Sequence, residues 1–266
     1  MTVTLKSKRS AGFTLVEIAV VVSIMAILLA MGLATANSVM QSTQRSATQE
    51  KESAIKDALV AYFLSNRRFP CPDTGSNVGN TGRDGLENRV AGGVVPNVTT
   101  DCSAQIGTVP YLTLGIARSQ ALDGYGNFIT YRFDMPRGWH RTTTFTGALP
   151  ACNIVGINAG VIAGGFQVNT AAATIEASNA AIVLISHGSN GLGAWNQGNT
   201  NTSQNAAPAT ADELGNTQLN PAGPAAYRAY AYSDVAANPF DDIVSFLTVS
   251  DLNIAATKAS RTNICS

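Results

Sequence analysis

Polar and apolar positions divide the chain into stretches of different period. A short basic start carries Lys6, Lys8 and Arg9 and runs to Gly12, and Phe13-Thr-Leu-Val-Glu17 follows. Ile18 to Val39 is then apolar apart from small residues, Thr35, Asn37 and Ser38. From Phe13 to Ala36 there is sequence for about 36 Å of helix, enough to span a hydrocarbon core of ~30 Å. The basic residues would stay cytoplasmic, which places everything after Val39 in the periplasm. Beyond it, Ala47, Ala54, Ile55, Ala58, Leu59, Tyr62 and Phe63 recur at three- and four-residue spacing, while Arg45, Glu50, Lys51, Glu52, Lys56 and Asp57 fill the other side. That pattern predicts one helix from Phe13 to about Ser65, roughly 80 Å long, whose outer half needs a sheet to lie against. Pro70 and Pro72 end it.

After the prolines the period changes to two. Phe128–Phe133, Ile154–Ile157, Gly165–Asn169, Ala180–Ser186, Arg228–Tyr232 and Asp242–Val249 are the strand candidates. Ala180-Ala-Ile-Val-Leu-Ile185 is apolar at nearly every position and reads as a central strand. Asn196–Pro224 is rich in Asn, Thr, Gln, Ala and Pro and reads as a long loop. A long helix followed by antiparallel strands is an α+β layout. The expected division is a leader at 1–12, a helix at 13–65 (13–36 transmembrane, 37–65 periplasmic) and a globular domain at 66–266.

Glu17 is the anomaly in this pattern. A carboxylate inside an apolar span is expensive and needs a partner or a function. An ordinary signal peptide is one alternative, with Ala34-Thr-Ala36 as its cleavage site, but its apolar region would be too long and would contain an acid. A plain signal anchor explains the apolar length but neither Gly12-Phe13 nor Glu17.

Composition narrows the classes. Charged residues make up 13%, and 17 Lys+Arg balance 17 Asp+Glu. Removing Lys6, Lys8 and Arg9 with the basic start leaves 14 against 17, a balance of −3, which offers no general attraction for nucleic acid. Arg132, Arg137, Trp139, His140 and Arg141 form a small basic-aromatic cluster of the kind that grips single strands, but a solvated strand end accounts for it as well. Ser186 and His187 are adjacent on a strand and point to opposite faces, so they make no nucleophile–base pair. The four cysteines are Cys71, Cys102, Cys152 and Cys265; with no C-x-x-C spacing they read as two disulfides with three possible connectivities. We favour Cys71–Cys102, closing the loop after the helix, and Cys152–Cys265, tying down the tail.

The stretch Gly12-Phe13-Thr14-Leu15-Val16-Glu17 resembles the prepilin peptidase site of type IV pilins and type II secretion pseudopilins. The resemblance implies a cut between Gly12 and Phe13, N-methylation of Phe13, and Glu17 as the acid that pairs with a neighbouring subunit's N-terminal ammonium during assembly. In low dielectric each of those charges relieves the other's desolvation. It also implies a type IV pilin-like fold, with the helix packed on an antiparallel sheet with long loops. Many major pilins carry a proline where this chain has Ala34, which argues against the bulk fibre subunit.

Arg68-Phe-Pro-Cys71-Pro-Asp73, Asp123-Gly-Tyr-Gly-Asn127 and Ile185-Ser-His-Gly-Ser-Asn-Gly191 with Asp241-Asp242-Ile243 are similar to segments of major pseudopilins. In those relatives the last region holds calcium, so the resemblance makes Asn190, Asp241 and Asp242 candidate ligands, with Asn190 standing where relatives carry Asp. An ordinary turn with a strand-leading Asp pair is the competing reading. Asp73 with Asp84 and Glu87 is a second, poorer oxygen-rich loop. The implied partners are other pilin or pseudopilin subunits, the prepilin peptidase and the inner-membrane assembly platform. The expected role is structural and non-enzymatic: a pseudopilus subunit of type II secretion, or else a minor type IV pilin in attachment, motility or DNA uptake. A membrane-tethered enzyme is the remaining class.

Overall fold

A computed structural model describes residues 12, 14–66, 68–77, 80–89, 102–134, 165–197, 204–217 and 226–259. The chain divides into two compact units, Met1–Thr43 and Gln44–Ser266, and the division falls inside the first helix, α1 (Leu15–Asn66). In the first unit the large apolar side chains from Leu15 to Leu29 are exposed all round the helix, Leu15 by 87% and even Val21 by 48%. A stretch with no polar face suits apolar surroundings rather than water. The side chains of residues 30–37 lie outside the described set, and among the described residues no helix is long and apolar enough to cross a membrane.

The second unit is α+β. After α1 come the small hairpin β1 (Ser76–Asn77) and β2 (Asn80–Thr81), then β3 (Ile106–Thr108) and the single turn α2 (Tyr111–Leu114). β4 (Asn127–Phe128), β5 (Thr130–Phe133), β6 (Phe166–Ala171), β7 (Thr174–Ser186) and β8 (Trp195–Asn196) follow. The chain ends its described course with α3 (Ala211–Asn216), β9 (Tyr227–Arg228), β10 (Ile243–Thr248) and α4 (Val249–Lys258).

Strand β7 organises the main sheet. Ala180 pairs with Phe166 of β6 and with Thr248 of β10, so β6 and β10 lie on opposite edges of it. Strand β5 pairs with Ile182–Ile185 on the β6 side, so β5 and β6 run end to end along one edge of β7, separated in sequence by residues 134–165. β7 is apolar at successive positions because both of its faces are covered. Ile182 and Leu184 join α1, while Val183 and Ile185 join a second cluster with Val168, Ala177 and Tyr227.

The sheet is not purely antiparallel, as the sequence pattern suggested. β9 pairs with β6 in parallel, Val168 opposite Tyr227 and Asn169 opposite Arg228. Between β6 and β9 the chain returns antiparallel along β7, and α3 then lies within the stretch read as one loop. Asn216 on α3 holds β9 by donating to the Arg228 carbonyl (2.9 Å) and accepting from its N–H (2.8 Å).

The outer half of α1 buries Thr48, Glu52, Ile55, Leu59 and Phe63 at four-, three-, four- and four-residue steps. Ile55, Leu59 and Phe63 meet Phe69, Tyr131, Phe133, Ile182, Leu184 and Leu252 of α4 in one cluster. Two positions of α1 correct the sequence reading. Ala54 is exposed and Glu52, placed on the polar side by its type, is buried to 1%. The geometric stripe continues toward the N-terminus whatever residues occupy it. The strand expected at 242–249 gives way at Val249 to α4, which Thr248 and Asp251 start as a reciprocal capping box.

Cys71 and Cys102 form a disulfide with Cα atoms 5.4 Å apart. It closes the post-helix loop where Glu87 accepts from both Arg68 Nη atoms (2.7 and 2.6 Å) and from the Cys71 N–H (3.0 Å). Cys152, Cys265 and the strand expected at Ile154–Ile157 lie outside the described residues.

Candidate functional site

Two places carry chemistry that packing alone does not explain. The first is the start of α1. The Thr14 N–H and hydroxyl both donate to Glu17 Oε2 at 2.8 Å, and the Glu17 N–H donates back to Thr14 Oγ1 at 3.3 Å. This reciprocal arrangement closes the first turn of a helix and holds an acid at the head of an exposed apolar stretch. Gly12 is exposed, and Phe13 lies outside the described residues.

The second place is built at the ends of β7 and β10. β7 runs out at Ser186 into a turn that His187 and Gly191 close (Gly191 N–H to His187 carbonyl, 3.1 Å). Gly188 has φ +58°, and a Cβ there would strike both the backbone and the side chain of Asp241. Only glycine lets the turn lie this close to the segment leading into β10. The Ser189 hydroxyl and the Asn190 N–H both donate to Asp241 Oδ2 at 2.8 Å.

A third carboxylate comes from α3, where Thr210 caps the helix by accepting from the Glu213 N–H. Glu213 Oε1 accepts from the Asp241 N–H at 3.1 Å. Oxygens of Glu213, Asp241 and Asp242 then lie within 4.8 Å of one another, and all three residues are buried. Among the described residues this is the one group of three such side chains gathered so closely.

The electrostatics of this cluster are unfavourable as it stands. Burial, and then the charges of Asp242 and Asp241, push the Glu213 carboxyl up to about 7. Asp241 Oδ1 is buried with no hydrogen-bond partner. Asp242 is better provided, with Asn216 Nδ2 donating to Oδ2 at 2.9 Å and His187 Nδ1 at 3.7 Å from Oδ1. The Arg45 guanidinium donates to the Asp241 carbonyl at 3.4 Å, not to its carboxylate, and lies over the Tyr232 ring. Three hard oxygen donors with an orphaned lone pair among them fit a hard divalent cation such as calcium.

The structure brings Asn190, Asp241 and Asp242 together and adds Glu213, which sequence reasoning missed. The Asn190 side-chain oxygen accepts from the Leu192 N–H at 2.8 Å, while its amide nitrogen faces Glu213 at 3.3 Å. In this geometry Asn190 shapes the turn, and Glu213 supplies the third acid. Thr210-Ala-Asp-Glu213 is a capping pattern that marks α3 inside the stretch read as loop.

Other candidates disperse. The Asp73 carboxylate accepts from the Gly75 and Gly85 N–H groups, Asp84 from Leu86, and Glu87 is held by Arg68, so these acids do not converge. The Ser186 hydroxyl donates to Asp123 Oδ2 while His187 Nε2 meets Thr130 Oγ1, so the two side chains serve different partners. The Arg132 guanidinium stacks on Phe166 and Tyr227 at 5.1 and 5.6 Å from their ring centres. Arg137, Trp139, His140 and Arg141 lie outside the described residues.

Comparison with known proteins adds one finding. Residues 7–33 match the family model described as the prokaryotic N-terminal methylation motif, the prepilin-type cleavage and methylation signature of type IV pilins and pseudopilins. No curated protein and no solved structure matches the chain.

Proposed function

We propose that this chain is a pilin-like structural subunit, cut between Gly12 and Phe13 by a prepilin peptidase, methylated on Phe13, and assembled through Glu17 into a type II secretion pseudopilus. The methylation motif at residues 7–33 carries the reading. Glu17 gives the motif a physical purpose, because an acid at the head of an apolar helix is tolerable in lipid once a neighbour's ammonium meets it. Residues 13–36 would lie in the bacterial inner membrane, with 37–65 and the domain at 66–266 in the periplasm. The inner-membrane assembly platform and neighbouring subunits are the partners.

Intact mass of the full-length chain, co-expressed with a prepilin peptidase and extracted from membranes, tests the processing step. The expected product lacks residues 1–12 and carries one added methyl group on Phe13. An uncut chain, or a cut at Ala36, would refute the reading.

A minor type IV pilin is the second reading, favoured by Ala34 in place of the helix proline and by the long stretch of sequence between β5 and β6. In either assembly, calcium at Glu213, Asp241 and Asp242, with Asn190 shaping the turn, would neutralise the clustered acids and pin α3 to the start of β10.

A further inference from the structure

The buried stripe of α1 contains an acid that neither processing nor assembly uses. Glu52 is 1% exposed, one step from Ile55 on the stripe that seats residues 44–66 against the sheet, and its Oε1 has no hydrogen-bond partner. Buried carboxylates are ordinarily paired or hydrogen-bonded.

The surroundings of Glu52 offer little to a negative charge. From β10 the Ser245 hydroxyl faces it, and from β7 the Ser186 backbone does. The Asp123 carboxylate lies close and repels it, and Lys56 on the next turn of α1 gives partial relief. Lys51 is spent on the Leu122 and Asp123 carbonyls, at 2.9 and 3.4 Å. Thr48, one turn earlier, donates to the Gln44 carbonyl and accepts from the Gly124 N–H. His187 is engaged with Thr130.

We infer that Glu52 is a proton-operated latch between α1 and the sheet: the neutral acid seats the outer half of the helix, and ionisation drives that half off its seat. Geometry supplies both halves of the device. The neutral acid has the shape of the stripe and leaves no charge in it, whereas the carboxylate brings a buried charge beside Asp123 that Ser245, Ser186 and Lys56 relieve only in part, and full solvation by water requires the helix to lift.

Burial above all, with Asp123 adding to it, raises the Glu52 carboxyl to about 8, from an ordinary 4.5. The seated state therefore holds its proton more tightly than the lifted one. Seating is most favourable below about pH 4.5 and weakens roughly tenfold per pH unit until about pH 8, above which it is level. The latch belongs to the fold of the second unit and stands apart from the assembly reading.

Hydrogen exchange of the full-length chain in detergent tests it, with protection corrected for the intrinsic effect of pH. Amides 48–63 should lose protection roughly tenfold per unit between pH 5 and 8, while those at 182–185 in β7 keep theirs. Glu52→Gln should hold amides 48–63 protected throughout, and Glu52→Met serves the same purpose should the amide disturb the fold. Helix protection that ignores pH in the wild type, the same fall in either variant, or β7 opening in step with the helix would each overturn the latch.

Discussion

Replacing Glu213 by Gln and adding calcium gives the most direct test of the acid cluster. Burial and the two aspartates raise Glu213 from 4.5 to about 7. At 1.36 kcal/mol per pH unit, ionising Glu213 in the folded state costs at most about 3 kcal/mol in the absence of a cation, and less to the extent that solvent screens the cluster. The folded form binds this proton more tightly than the unfolded chain does. Its contribution to stability is complete below about pH 4.5 and is lost as pH rises toward 7.

Calcium reverses that loss by binding the ionised cluster. For a dissociation constant of ~0.1 mM, 1 mM calcium stabilises by about 1.4 kcal/mol, or ~3–5 °C in Tm for a unit of this size. At pH 5 the proton on Glu213 competes about a hundredfold, and the same calcium should move Tm by less than ~1 °C. Thermal melting of the full-length chain in detergent, with calcium or chelator at pH 5 and 8, reads all of this. Glu213→Gln should melt above wild type in chelator at pH 8 and lose most of the calcium shift. A wild-type Tm unmoved by calcium at pH 8, or a variant with the full shift, would refute the cation reading.

Three further outcomes follow from particular contacts. Cys71→Ala with Cys102→Ala opens a loop of 31-residue separation and should lower stability by roughly 3–4 kcal/mol, measured as the denaturant midpoint against the oxidised chain. Non-reducing peptide mapping should recover these two cysteines on one linked fragment. Leu59→Ala removes a side chain with no exposure from the helix–sheet cluster, and urea unfolding should show a loss of about 2–5 kcal/mol. Glu17→Ala should leave cleavage after Gly12 intact by mass while abolishing incorporation into filaments; normal assembly of this variant would remove Glu17 from the assembly role.

Much of the helical architecture was legible because it rests on local patterns. Ile55, Leu59 and Phe63 mark the seated face of α1 through a 3.6-residue period that each turn repeats. Ala180–Ile185 declared itself central because a strand covered on both faces must be apolar at successive positions. The turn at Asp123 was equally local: its Oδ1 accepts from the Tyr125 and Asn127 N–H groups within five residues of chain.

What escaped depends on partners far away in sequence. Glu52 looks solvated by its type, and it is buried because β10 and β7, some 190 and 130 residues on, close over that position. Glu213 sits in a stretch whose composition says loop; it matters because Asp241 and Asp242 arrive beside it from the start of β10. The parallel pairing of β9 likewise depends on β6, some 60 residues earlier, and on Asn216 of α3, which no periodicity of Tyr227-Arg228 encodes.

The sequence by itself determined the motif at Gly12–Glu17, the long helix and the α+β class, since residue type, spacing and period carry these within one turn or one strand. Only the tertiary structure decided which acids share a site and which acid is buried, because carboxylate repulsion and desolvation depend on distance in space rather than along the chain.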